Sequence, residues 1–299
     1  MKVFVTGATG LVGRALCTEL VSAGHAVLAL SRRASPVAAL PAGVQPVAGD
    51  PARPGPWQEA LASADAVVHL AGEPVAAGRW TPARKAAIAA SRLDSTRLVA
   101  EVIAAGGPTV FVSGSAVGFY GERGDELLDE SSKAGEGFLA EVCQRWEAAT
   151  APALARARVV LLRTGLVLAR DGGALPKLVL PFRLFAGGPM GDGLFWQPWI
   201  HLADEVGLIR FALEDGRVAG PLNASAPSPV RNRDLAAAIG AALHRPSLLP
   251  APAAAIRLAV GEMAAVVLGS QRMVPRKALE LGYAFRFPAL EPALRNLLR

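Results

Sequence analysis

Cysteine is nearly absent: Cys17 and Cys143 are the only two in 299 residues, and neither has a second cysteine or a histidine at metal-ligand spacing. A disulfide-stapled scaffold and a thiolate metal site are therefore excluded. Histidine is equally sparse, and His25, His69, His201 and His244 stand apart from one another, so no metal site is expected. Charged residues make up 19% against 52% hydrophobic, which excludes a disordered chain and calls for a large buried core. Apolar runs long enough for a bilayer are missing too. The most apolar stretch, residues 251–268, is interrupted by Arg257 and Glu262, so no membrane association is expected. The chain enters a strand-like run at once, Lys2-Val3-Phe4-Val5-Thr6, which leaves no room for a signal peptide and predicts a cytoplasmic location. The formal net charge is +6, but Lys and Arg are scattered without a long basic run, and no nucleic-acid partner is expected.

What is present is an alternation of short apolar β runs and helical patterns. Residues 3–6, 26–30, 44–47, 66–71, 110–113 and 158–162 read as strands. Helices are predicted over residues 11–24, 82–105 and 137–149. Such alternation means βαβ units and a parallel sheet covered on both faces, a Rossmann-type doubly wound α/β fold. After Arg163 the pattern turns irregular and rich in Gly and Pro, as expected of a smaller substrate lobe grafted onto the sheet. Asn223-Ala224-Ser225 reads as a late strand, and Asp234 as a favourable helix-start carboxylate. Residues 1–245 are thus expected to form a dinucleotide-binding domain with an interleaved lobe, and residues 246–299 a helical C-terminal appendage. That appendage should fold back as a cap, because Ile256, Leu258, Val260, Met263, Val266 and Leu268 need something to pack against.

Gly7, Gly10 and Gly13 fall between the first strand and the first helix. In that context the first glycine permits a tight turn, the second lets backbone approach a pyrophosphate, and the third lets the helix pack on the sheet. The helix N-terminus then offers N–H groups and the positive dipole end to the phosphates. About twenty residues further on, an NAD site would carry Asp or Glu. Here the end of the second strand carries Ser31-Arg32-Arg33, which suits the 2′-phosphate of NADP. A pocket for that phosphate also explains part of the basic excess. His69-Leu70-Ala71-Gly72-Glu73 ends the fourth strand at the same edge of the sheet. Gly72 would allow close approach of a ribose, and His69 reads best as a satisfied buried histidine.

The run Thr6–Gly13, together with His69-Leu70-Ala71-Gly72 and Ser113-Gly114-Ser115-Ala116-Val117-Gly118-Phe119-Tyr120-Gly121, resembles the extended short-chain dehydrogenase/reductase family, which includes nucleotide-sugar epimerases. More narrowly, the chain resembles an atypical branch known as epimerase-family proteins. The resemblance rests on Ala71-Gly72-Glu73-Pro74, Arg79-Trp80, Ser91-Arg92, the run from Phe138 to Trp146-Glu147, and Trp199-Ile200-His201. Gly261-Glu262-Met263 and Ser270-Gln271-Arg272 resemble the C-terminal domain of unknown function that this branch carries. The resemblance implies NADP held by Gly7, Thr9, Gly10, Leu11, Val12, Gly13, Ser31, Arg32, Arg33, Leu70, Ala71, Gly72 and Ser113.

In that family a Ser, a Tyr and a Lys four residues after the Tyr perform proton transfer. Ser115 matches the Ser, but the Tyr-x-x-x-Lys pair is missing: Gly124 follows Tyr120 by four residues and Phe287 follows Tyr283. Aligned on Glu147, the helix that should carry the pair has Leu139 and Cys143 in those places. Tyr120, Glu73 and Cys143 are the candidate substitutes. Trp196, Trp199 and His201 read either as a pocket wall or as packing that docks their loop. Two functions stay open. One is an NADP-dependent oxidoreductase or epimerase of a small molecule. The other, implied by the branch's link to cell or chloroplast division, is a catalytically silent NADP-binding regulator with protein partners. Related enzymes often pair through helices, so a homodimer is possible by analogy.

Overall fold

The computed structural model describes residues 1–32 and 40–298. Seven strands form one parallel sheet: β1 (Lys2–Thr6), β2 (Ala26–Ser31), β3 (Val44–Ala48), β4 (Ala66–His69), β5 (Val110–Ala116), β6 (Arg158–Thr164) and β7 (Gly220–Ala224). Their spatial order is β3-β2-β1-β4-β5-β6-β7, the doubly wound arrangement expected. The order reverses between β1 and β4, which opens a crevice at their carboxyl ends, where ligands bind in such sheets.

The strands read as continuous apolar runs because both faces are covered. Side chains alternate between them. Val3 and Val5 face α1 (Leu11–Ser22) and, later in the chain, the helix Leu202–Glu214, among Leu16, Leu20 and Ile209. Phe4 faces the opposite layer, with Trp57 of α2 (Trp57–Ala62) and Leu98 and Ile103 of α3 (Pro82–Ala104). Helix α3 begins where its sequence says it should: the Thr81 hydroxyl accepts the Arg84 N–H at 3.1 Å, and Pro82 occupies the first turn. Helix α4 (Phe138–Ala148) follows β5 and packs back against it, with Trp146 donating to Thr96 of α3 at 2.8 Å.

β4 stops two residues sooner than the apolar run suggests. The Leu70 N–H is shared between the Thr6 carbonyl at 3.3 Å and the Thr6 hydroxyl at 3.2 Å, and the Ala71 N–H turns to that hydroxyl at 3.2 Å, which ends the ladder. The lobe after β6 contains a small sheet of Leu166–Ala169 flanked by Gly172–Gly173 and Trp199–His201. Around it lie α5 (Leu175–Arg183), α6 (Leu202–Glu214) and α7 (Asn232–Leu243).

Four short helices follow: α8 (Ala253–Val260), α9 (Ala264–Leu268), α10 (Arg276–Glu280) and α11 (Leu290–Leu298). The apolar positions expected to make this region pack are not the ones that do. Ile256, Val260, Met263 and Leu268 are half-buried, and Leu258 is 78% exposed. The anchors lie further on. Leu290, Leu294 and Leu297 of α11 enter one core with Leu168, Val179, Phe182, Trp199 and Ile239. Arg272–Met273 pairs with Leu127–Leu128, and the Asp204 carboxylate accepts the N–H groups of Arg286 and Phe287 at 2.7 and 2.9 Å. α11 has a sharply two-sided sequence, whereas α8 buries no residue and lies over a cavity rim.

Candidate active site

At the crevice, the glycines divide their labour. Gly7 has φ +68°, and a Cβ there would lie 2.7 Å from the Leu70 carbonyl carbon. A Cβ on Gly13 would meet the Gly7 carbonyl oxygen at 2.2 Å, so only glycine lets α1 sit this close to the turn. Gly10 caps α1 without a side-chain acceptor, and no acid lies in the first turn. The first N–H groups and the positive dipole end are thus left to an anion.

These residues open into a groove of about 380 Å³. Of the predicted cofactor contacts, Gly7, Thr9, Gly10, Ser31, Arg32, Leu70, Ala71 and Gly72 line it. Leu11, Val12 and Gly13 form the helix turn behind it. Ser113 is fully buried in β5, its hydroxyl 3.3 Å from the Gly114 carbonyl, and Arg33 lies outside the described residues. Sequence reasoning missed Asp50 and its neighbours Gly49, Pro51 and Ala52, which also line the groove. What brings them there is topology: β3 pairs with β2 to its end, Ser31 opposite Ala48, so the next residues emerge at the same edge. Asp50 points one oxygen at the Ala52 N–H, 3.0 Å away.

Beneath the groove a buried relay fixes the strand ends. Thr6 accepts two N–H groups, so its own proton goes to His69 Nδ1 at 2.7 Å. His69 Nε2–H then donates to Ser95 at 3.0 Å, and Ser95 donates to the Ser91 carbonyl at 2.7 Å. Burial, with the nearby Arg92 cation, pushes the imidazole pKa down to about 3, so the ring stays neutral. His69 is the satisfied core histidine its sequence suggested. Arg92 reaches the carbonyls of Glu73 and Ile88 and lies over the Trp146 ring.

A second network surrounds the residue in the family's catalytic Ser position. Ser115 donates to Glu147 of α4 at 2.7 Å, and Glu147 holds Arg163 of β6 through two contacts, 2.8 and 2.9 Å. Arg163 Nη1 donates to the Tyr120 hydroxyl at 3.0 Å, and that hydroxyl faces Asn223 Oδ1 at 2.7 Å. Neither Glu147 nor Arg163 was anticipated as a partner of Ser115, being sixteen residues apart on different elements. Tyr120 is fully buried, and burial raises its pKa against the opposing pull of Arg163. Cys143 is also buried, its thiol pushed up to about 12 by desolvation and by Glu147. Glu73 alone of the proposed proton carriers lines the groove, with Arg84 3.1 Å from its carboxylate.

The loop carrying Trp196, Trp199 and His201 does packing work. Trp199 is fully buried, His201 stacks on Phe287 at 3.9 Å, and Trp196 lies between Arg231 and Arg272. Among the described residues no cluster of His, Cys, Asp or Glu could hold a metal ion, and no helix is long and apolar enough to cross a membrane.

The sheet order, the glycine turn and the crevice between β1 and β4 define a dinucleotide-binding α/β protein of the Rossmann type. Residues 3–224 match the NAD dependent epimerase/dehydratase family and residues 251–297 a domain of unknown function, and the chain belongs to that epimerase family. It is 40% identical, over its whole length and 87% of the relative, to the Arabidopsis thaliana protein named "Epimerase family protein SDR39U1 homolog, chloroplastic". The crystal structure of human epimerase family protein SDR39U1 (isoform 2) with NADPH is 36% identical and superposes with a TM-score of 0.89, covering 99% of each chain. A Corynebacterium glutamicum structure, described as a nucleoside-diphosphate sugar epimerase, is 38% identical with a TM-score of 0.81. It covers 99% of this chain and 58% of its own.

Proposed function

We propose that the groove binds NADP(H) and that the chain is an oxidoreductase of a small molecule, of epimerase-like ancestry. The carrying observation is the groove itself. Gly7, Gly10 and the bare α1 N-terminus suit a pyrophosphate, and Ser31-Arg32 at the end of β2 suit a 2′-phosphate without a repelling carboxylate at that position. The NADPH in the human SDR39U1 structure supports the same choice. Asp50, which also lines the groove, would be available to accept a hydrogen bond from the bound dinucleotide. Bound NADPH supplies hydride. The chain's own part is to orient it: Gly72 admits the ribose, Thr6 and His69 hold the strand ends, and Glu73 is the titratable group at the edge.

One observation favours the second reading, a silent NADP-binding regulator. Tyr120 and Cys143 are sealed in the core, and Ser115 already gives its proton to Glu147. Titrating the protein with NADPH and NADH, beside Arg32→Ala, tests the groove. Losing a guanidinium–phosphate bond should weaken NADPH by about tenfold or more and leave NADH unchanged. Equal binding of the two nucleotides would refute the 2′-phosphate assignment. Consumption of NADPH with a carbonyl panel then separates enzyme from regulator.

A further inference from the structure

A second cavity, about 560 Å³, is large enough for a small-molecule ligand and is tied to the groove through α3, where Arg84 holds Glu73 of the groove and the next residue, Lys85, holds Glu262 of the cavity. One wall is the start of α4 and the turn after β5, where Leu139 and Gly118 meet. Leu139 stands where the family's tyrosine would be. The opposite wall is α8–α9, with Ala264, Ala265 and Leu268. Trp80 and Phe138 close one end, edge to face with ring centroids 5.1 Å apart.

The C-terminal wall is held on by polar contacts. Arg79 donates to the carbonyls of Leu258 and Ala259 at the end of α8, and Lys85 pairs with Glu262. The motif pairs Arg79-Trp80 and Gly261-Glu262-Met263 therefore build two sides of one cavity, which accounts for residues that the dinucleotide groove does not use.

The charges decide the ligand. Glu122, Glu136 and Glu262 line the cavity against a single basic lining residue, Arg257, while Lys85 lies behind the Phe138 ring and is taken up by Glu262. A nucleoside-diphosphate sugar brings at least two negative charges, and sites for such anions present several Arg or Lys donors. With Glu262 paired to Lys85 and Glu122 accepting the backbone N–H groups of Gly124 and Ser270, Arg257 is the single cation among the lining residues, too few donors for a diphosphate. The aromatic pair and the leucine and alanine walls instead suit a flat apolar body.

We propose that this cavity is the substrate site and takes an uncharged, largely aromatic carbonyl compound, not a nucleotide sugar. The assignment rests on the oxidoreductase reading for its carbonyl and on the cavity for the rest. The reaction would move hydride from NADPH to the carbonyl carbon and a proton drawn from solvent water to its oxygen, giving an alcohol and NADP+.

The test is calorimetric titration of the NADP+-loaded full chain with 2-naphthaldehyde and, separately, with UDP-glucose, repeated on Leu139→Trp and Ala265→Trp. These variants fill the cavity from opposite walls, and Ala265 is exposed, so its replacement spares the core. The expected result is binding of the aldehyde, no heat from UDP-glucose, and a loss of about tenfold in either variant, about 1.4 kcal/mol, with NADP+ binding unchanged. UDP-glucose binding that the variants abolish would overturn the proposal. So would aldehyde binding that neither variant alters, or no binding of either compound. Should NADP+ fail to bind while the aldehyde binds in a variant-sensitive way, the dinucleotide reading falls and the cavity assignment stands.

Discussion

Replacing Glu205 by glutamine should flatten the pH dependence of stability between about pH 5 and pH 8, and the structure gives the size of the effect. Glu205 sits in α6 with 1% of its surface exposed. One carboxyl oxygen accepts from Thr164 at 2.8 Å, and the other has no partner. Among the described residues no cation compensates it, and burial pushes its pKa from 4.5 up to about 8. The unfolded chain therefore loses this proton at a lower pH than the folded one. The stabilisation that comes with the neutral acid is complete below pH 4.5, declines as the pH rises, and is gone above about pH 8. The slope is about 1.4 kcal/mol per pH unit, on the order of 3–5 kcal/mol over the window. Glutamine copies the shape of the neutral acid and does not titrate. His69 works in the opposite direction, because its lowered pKa removes stability as the pH falls from 6.5 towards 3, but it does so in both proteins and cancels in their difference. Urea unfolding followed by circular dichroism, in steps across this range, measures that difference. It should be near zero at the acid end and favour the variant increasingly towards pH 8. A constant difference would show that Glu205 is not held protonated in the core.

Gly13→Ala places a methyl group against the Gly7 carbonyl oxygen, and should cost about 2–4 kcal/mol and weaken NADPH binding together, as thermal melts with and without nucleotide would show. Glu147→Ala leaves Arg163 buried without its carboxylate and should cost about 3–5 kcal/mol, against about 1 kcal/mol for Ser115→Ala; equal losses would mean that the ion pair is not the mainstay. Leu294→Ala removes a fully buried anchor of α11 and should cost about 2–5 kcal/mol, whereas Leu258→Ala should cost almost nothing. In a histidine NMR titration, His69 should show no protonation step down to about pH 4, since its pKa lies near 3.

The β1–turn–α1 unit was legible because each glycine answers to a local steric demand that spacing alone expresses. The span of α3 was legible in its helical pattern, expected over residues 82–105 and found over Pro82–Ala104. The pairing of Glu147 with Arg163 was not, since two charges on separate elements look in sequence like solvated surface; the β5–β6 register sets Arg163 opposite Ser115, and the packing of α4 on β5 brings Glu147 to both. Asp50 was hidden because it follows a strand whose position at the sheet edge is a property of topology. The C-terminal region was misjudged for a different reason. Its longest apolar run, around α8, was taken as the packing face, while the contacts are made by the shorter, more sharply patterned α11. Apolar content says less than apolar sidedness when helices are two turns long.

The seat of α11 also bears on how the protein is made. Its leucines complete a core whose other members, Leu168, Val179, Phe182 and Trp199, leave the ribosome far earlier. During synthesis the central sheet can close while the lobe still shows that apolar surface to chaperones and proteases. Only the arrival of α11 hides it, so a chain interrupted before Leu290 would be marked for removal with its dinucleotide groove already built.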